Sequence, residues 1–286
     1  MINYFLYRIG QFIALSLPLK FSYKLAAFLS DIRLFFNRQD WNETRGNLKV
    51  IFPQKSDDEI KQICKALFRN FAKYLVDFFR FDKLDKEYVE RNIEIKDIHY
   101  FDEGMKKGKG VIALTAHIGN WELGGAAAAL LGYPLWAVVL PHKDKAVDNF
   151  FNSQRKMKGV NAIPLNSRAA RQCLVRLKEN ALLALVGDRD FTQDGRILDF
   201  FGKKSIFPEG AAAFSIKTGA PIICGFMLRK PDDSFVFEIN KPIEFNPSGD
   251  KKKDIGDLIK IYIKIFEDYI RRYPDQWFMF RKFWVE

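Results

Sequence analysis

A chain of 286 residues that is 48% hydrophobic and 15% aromatic has enough apolar surface for one substantial core, which excludes a disordered chain. Its formal charge of +11 and pI near 9.4 call for an anionic partner, a class that takes in membrane headgroups, nucleic acid and acidic proteins. The three cysteines, Cys64, Cys173 and Cys224, are odd in number and far apart, which argues against a disulfide framework, and His99, His117 and His142 lack metal-ligand spacing, so no metal is expected.

The first forty residues are rich in Phe, Leu and Ile but punctuated by Arg8, Pro18, Lys20, Lys24 and Arg33. Their longest uncharged run, Ile9 to Leu19, falls short of the roughly 20 residues that span a bilayer. No small-residue cleavage site follows it, which argues against a secretory signal. The pattern predicts two amphipathic helices broken near Pro18, of a kind that lies in the plane of an anionic membrane; packing on the protein's own core is the other reading. Residues 1–40 are therefore set apart as a membrane-associating region. Residues 41–286 are read as one catalytic domain, with a helical lobe over about 41–108 and an α/β core over about 109–286. In the lobe, Ser56 and Glu59 form a capping box, and Ile60, Ile63, Leu67, Phe71, Tyr74 and Phe78 recur at helical spacing, predicting a helix from Asp57 to about Phe79.

Val111 to Ala116 is a short apolar run preceded by Gly108 and Gly110, and reads as a buried strand. After the turn His117-Ile118-Gly119-Asn120, a helix begins with Asn120 as N-cap, Glu122 in its first turn and an alanine-rich body to Leu131. This places an imidazole at the carboxyl end of a strand, where sites collect in open α/β sheets. The Gly-Asn turn lets the Glu122 carboxylate swing back toward the His117 ring, which would hold it in one tautomer as a general base. A core histidine hydrogen-bonded at a helix start is the plainer reading. No Ser or Cys nucleophile stands nearby, so the pair suits activation of a hydroxyl belonging to the substrate.

Further strands are predicted at Leu135 to Leu140, around Asn161 to Leu165, at Ala181 to Val186 and at Phe235 to Ile239, with helices at Lys145 to Lys158, carrying Arg155, and Ser167 to Glu179. The alternation implies an α/β fold with a largely parallel central sheet flanked by helices. Neither G-x-G-x-x-G nor a phosphate loop is present, so nucleotide binding is not indicated. Asp188, Arg189 and Asp190 emerge from a buried strand end; Phe200-Phe201-Gly202 and Phe207-Pro208-Glu209-Gly210 follow, the latter opening an alanine-rich helix. A last helix carries the apolar stripe Ile255, Leu258, Ile259, Tyr262, Ile265, Phe266, Tyr269 and Ile270, and stops at Tyr273-Pro274.

The pattern His-x4-Glu, written here as HIGNWE, resembles the H-x4-D/E signature of lipid acyltransferases, in particular the late (secondary) lauroyl and myristoyl acyltransferases of lipid A biosynthesis within the lysophospholipid acyltransferase superfamily. The segment RGNLKVIFP, the order Gly-Asp-Arg-Asp, Phe-Phe-Gly, Pro-Glu-Gly and Thr-Gly-Ala-Pro, and the tail YPDQWFMFRKFW are similar to elements of the same family, so the resemblance covers nearly the whole chain. Arg189 departs from it, standing where the lipid A enzymes usually carry Gln.

The resemblance implies a membrane-associated O-acyltransferase without cofactor or metal, with His117 and Glu122 catalytic and Gly119, Asn120, Arg155, Asp188, Arg189 and Glu209 placing substrate or stabilising the oxyanion. Backbone N–H groups of the Gly119-Asn120 turn or a nearby Arg are the candidate oxyanion donors. It further implies an acyl carrier protein or CoA thioester as donor and an anionic glycolipid or phospholipid acceptor, with a lipid A precursor foremost. The setting it implies is peripheral attachment to the cytoplasmic face of a bacterial inner membrane, and no nucleic acid. Other glycolipid or glycerophospholipid acceptors, and a thioester hydrolase using the same His-Glu pair, stay open. The helix Gly124 to Leu131 is the expected wall of an acyl groove, since Ala126 to Ala129 leave room beside it.

Overall fold

The computed structural model describes residues 2–191 and 195–285; residues 192–194, inside the loop that follows Gly-Asp-Arg-Asp, lie outside the described residues. The chain opens with α1 (Ile2–Ser16) and α2 (Leu19–Phe36). They break at Pro18, whose ring lacks an N–H and restricts the residue before it. The two helices pack on the protein's own core with one face and leave apolar side chains exposed on the other. Inward, Tyr7 of α1 meets the Phe79 and Phe151 rings edge-on, and Tyr23 of α2 is buried. Outward, Phe5, Leu6, Ile9 and Phe12 of α1 and Phe21, Phe28, Leu29 and Phe36 of α2 are exposed, Phe12 to 71% and Phe36 to 84%. Large exposed apolar side chains gathered on two successive helices are the kind of surface that interaction faces carry. Among the described residues, no helix is long and apolar enough to cross a membrane.

After α3 (Arg38–Ile51) comes α4 (Asp57–Phe79), whose limits match the predicted ones because the Ser56–Glu59 capping box forms in both directions. Then follow α5 (Lys86–Asn92), β1 (Ile93–Lys96), α6 (His99–Met105), β2 (Val111–Thr115), α7 (Trp121–Leu130), β3 (Leu135–Val139), α8 (Lys145–Met157), β4 (Asn161–Pro164), α9 (Ala169–Lys178) and β5 (Leu182–Val186). The remainder is β6 (Arg196–Phe200), β7 (Lys203–Phe207), α10 (Gly210–Thr218), β8 (Ile222–Arg229), β9 (Phe235–Ile239) and α11 (Lys251–Arg272).

The main sheet has seven strands in the order β1-β9-β8-β2-β5-β3-β4 and is parallel except for the pair β8–β9. Alternate residues of β2 enter different cores, as a strand covered on both faces requires: Val111 packs with α7 and α8, while Ile112 and Leu114 pack with α9, α10 and α11. The antiparallel hairpin β6–β7 was not expected from the sequence. Its two-residue turn, Phe201-Gly202, has positive φ at both positions, 50° and 78°, the geometry for which Asn-Gly is the usual signal.

One turn fixes the rest. Gly119 adopts φ +64°, and a Cβ there would stand 2.1 Å from the Met227 carbonyl oxygen of β8. Gly119→Ala is therefore expected to cost at least about 1–3 kcal/mol from backbone strain alone. Gly46→Ala, in the exposed interior of α3 with nothing within 4 Å, should add about 0.5–1 kcal/mol. Denaturant unfolding of the two variants measures both signs.

Candidate active site

The register of β2 against β5 builds the site. Thr115 lies opposite Val186, and the Gly187 N–H donates to the Thr115 carbonyl at 2.8 Å. Two residues past that matched pair the strands deliver His117 and Asp188, 71 positions apart in the chain. The His117 Nδ1 lies 2.7 Å from Asp188 Oδ1. The other carboxylate oxygen, Oδ2, accepts from the His117 backbone N–H at 3.0 Å and from the Trp277 indole N–H at 2.9 Å.

Asp188 is fully buried, while the His117 side chain keeps 17% of its surface. Burial by itself pushes the Asp188 carboxyl up; the His117 ring and the two further N–H groups aimed at it, the His117 backbone and the Trp277 indole, outweigh that and hold it below the usual carboxylate range. An ionised carboxylate only accepts, so the Nδ1 carries the proton, and in the neutral ring the lone pair is on Nε2.

This corrects the expected partner. Glu122 does not hold the ring: its carboxylate is taken by Arg155, with Nε 3.0 Å from Oε2 and Nη2 2.5 Å from Oε1. The cause lies in α7, which starts at Trp121 and directs Glu122 toward α8, while the Trp121 ring itself meets His117 edge-on at 5.0 Å. Burial would lower the Arg155 guanidinium, but Glu122 beside it raises it on balance.

The expected oxyanion donors are corrected too. The Gly119 N–H donates to the Gln276 carbonyl at 2.9 Å and the Asn120 N–H to the Met227 carbonyl at 2.7 Å, so neither points at a substrate. The tail closes the turn further, with the Phe278 N–H donating to the His117 carbonyl at 2.8 Å. Gly119 and Asn120 thus shape the turn from behind.

An 850 Å³ cavity opens on His117 and is lined also by Glu122, Arg155, Arg189 and Glu209, so five sequence-predicted residues share one space. Arg189 stacks 4.8 Å over the Phe191 ring. Burial pulls its guanidinium below the ordinary arginine value, against the opposing charge of Asp188. Glu209 pairs with Arg196, its Oε1 accepting from Nε at 2.8 Å, and makes no side-chain cap for α10.

Much of the remaining wall is apolar, with small side chains supplied by Ala137 and Val139 of β3, Ala184 of β5, and Ala169 and Cys173 of α9. This overturns the expected wall: Ala126, Ala127 and Ala128 of α7 are buried in the core, and the helix gives the cavity Trp121, Glu122 and Gly125. Among the described residues no group of three or more His, Cys, Asp or Glu side chains is placed to hold a metal ion.

Asp188, expected to place substrate or stabilise the oxyanion, is instead fully buried behind the His117 ring and outside the cavity lining, and the sequence marked Trp277 only as part of a similar tail. The signal available for Asp188 was the equal offset of the two residues from two strand ends.

The model of the bacterial lipid A biosynthesis acyltransferase family matches residues 1–286, and the chain belongs to that family of acyltransferases. It is similar to a phosphatidylinositol mannoside acyltransferase of Mycolicibacterium smegmatis, 25% identical over 249 residues that cover 85% of this chain and 79% of the relative. A protein of the same description from Mycobacterium tuberculosis is 24% identical over 270 residues, 91% of this chain and 82% of the relative. The lipid A biosynthesis palmitoleoyltransferase of Escherichia coli is 24% identical over 248 residues, 86% of this chain and 78% of the relative.

Because the native Asp188 carboxyl binds its proton more weakly than the unfolded chain does, it adds stability above the ordinary carboxylate value of about 3.9 and loses it as pH falls through the depressed native value. Urea midpoints between about pH 5 and pH 2 should therefore fall more steeply for the native protein than for Asp188→Asn, the two curves converging at the acid end.

Proposed function

We propose that the protein transfers a fatty acyl chain from an acyl thioester, with acyl carrier protein as the donor, to a hydroxyl of a lipid acceptor of the lipid A precursor class. The observation that carries this reading is the imidazole held through Nδ1 by a buried carboxylate and opening on a largely apolar cavity. His117 Nε2 takes the acceptor hydroxyl's proton as that oxygen bonds to the thioester carbonyl carbon. The tetrahedral oxyanion then collapses, the carbon–sulfur bond breaks, and the imidazolium returns the proton to the leaving thiolate. Asp188 keeps the ring oriented and balances the imidazolium charge.

With the turn's N–H groups occupied, Arg189 is the group assigned to the oxyanion, at the cavity wall and without an ion pair among the described residues. The Glu122–Arg155 pair is assigned to the acceptor side, where an arginine already fixed by a carboxylate meets a phosphorylated sugar in a set orientation. The basic surface suits an acidic carrier.

The exposed apolar faces of α1 and α2, with Arg8, Lys20, Lys24 and Arg33 on the same helices, support peripheral attachment to an anionic bilayer. We assign it to the cytoplasmic face of a bacterial inner membrane, where a carrier-bound thioester and a lipid acceptor meet.

His117→Ala, which leaves Asp188 two of its three donors, should lower acyl transfer by at least about a thousandfold in the folded fraction. Product analysis with acyl carrier protein thioester and lipid A precursor should show acylated lipid from the native enzyme and little free fatty acid. Near-normal turnover by the variant, or free acid as the main product, overturns the reading.

The donor chain is placed along the small residues of the cavity. Ala137 and Ala184 lie side by side in register on β3 and β5, leaving a floor that larger side chains would raise. Each methylene taken out of water there contributes about 0.8 kcal/mol, enough for cavity depth to set chain preference. Ala184→Leu should move the preferred donor to a shorter chain with little loss on that chain, read by competition between thioesters of different length. An unchanged preference places the chain elsewhere.

A further inference from the structure

Behind the catalytic turn lies a second buried polar constellation that touches neither cavity nor substrate. Asp77, near the end of α4, accepts from the Tyr23 hydroxyl of α2, from the Arg229 guanidinium at the end of β8, and from the Asn120 side-chain amide at 2.9 Å. The Asp77 and Arg229 side chains keep 7% and 6% of their surface. Arg229 alone neutralises the Asp77 charge, so the bonds from Tyr23 and Asn120 add direction rather than charge balance.

Asn120 is the residue that gives this direction a use. Its Oδ1 caps α7 by accepting from the Leu123 N–H at 3.0 Å, and its amide group reaches back to Asp77. It therefore sits at the junction between His117, three positions before it, and Glu122, two positions after. Tyr23 brings α2 into this network, on a helix whose other face is exposed and apolar.

We propose that Tyr23, on a helix otherwise assigned to membrane attachment, is a positioning residue for acyl transfer: through Asp77 it fixes the Asn120 side chain and with it the turn that carries His117. The amino-terminal region is then part of the catalytic scaffold as well as an anchor. This rests on His117 acting as the base, as proposed above.

A double-mutant cycle on the full chain tests it. Tyr23→Phe removes one hydroxyl and leaves Asp77 its arginine. It should lower kcat about tenfold, with the KM of donor and acceptor, the melting temperature and binding to phosphatidylglycerol vesicles all close to native. Asn120→Ser keeps a good N-cap residue but is too short to reach Asp77, and should lower kcat similarly. In the Asn120→Ser background, Tyr23→Phe should have no further effect, because the path it acts through is already cut. Full kcat in Tyr23→Phe overturns the inference, and so does an additive loss in the double variant, which marks a general structural effect. Failure of the reading beneath is distinguishable, because His117→Ala would then turn over like the native enzyme.

Discussion

A carboxylate buried without compensation is among the costliest groups a fold can contain, and Asp188 sits fully inside this one. Its cost is offset by three donors from three different places: the ring of His117, the backbone of the same residue, and the indole of Trp277. Removing any of them leaves buried charge unsatisfied, so the sheet, the turn at His117 and the carboxyl-terminal tail are tied to one another through a single side chain. The tail reinforces this by hydrogen bonding to the turn on both sides of Trp277, through the Gln276 carbonyl and the Phe278 N–H. The same bonds that make the carboxylate tolerable set the tautomer of the imidazole, so stability and chemistry have one origin.

Much of the architecture was legible in the residues because it depends on local physics. The capping box set the start of α4, apolar periodicity set α11, and short apolar runs set β2, β3 and β5. The partner of His117 was not legible, because it depends on β2 lying beside β5, a long-range choice that no local pattern encodes. The H-x4-E spacing favoured the nearer carboxylate, and it brought Glu122 into the same cavity but onto Arg155. The acyl wall was misplaced for a related reason. The run of small residues from Gly124 to Ala129 carries no face in its sequence, and in the fold these residues let helix and sheet approach closely. The room was left instead by single alanines on two paired strands, each unremarkable alone.

The cavity and the amino-terminal helices describe one functional geometry. Tyr7 of α1 reaches the cavity lining, while residues one and two positions away on the same helix face outward. One helix thus contributes both to the exposed apolar surface and to the wall of the cavity that holds His117.

The central claim, that Asp188 rather than Glu122 holds the catalytic ring, is tested most directly by comparing Asp188→Asn with Glu122→Gln in one acyl-transfer assay with kcat and acceptor KM separated. Asp188→Asn should lower kcat by about 10⁴ with acceptor KM little changed, as loss of the orienting carboxylate does elsewhere. Glu122→Gln should act mainly on acceptor KM, through Arg155. The reverse ranking, with kcat lost in Glu122→Gln and kept in Asp188→Asn, would contradict the account.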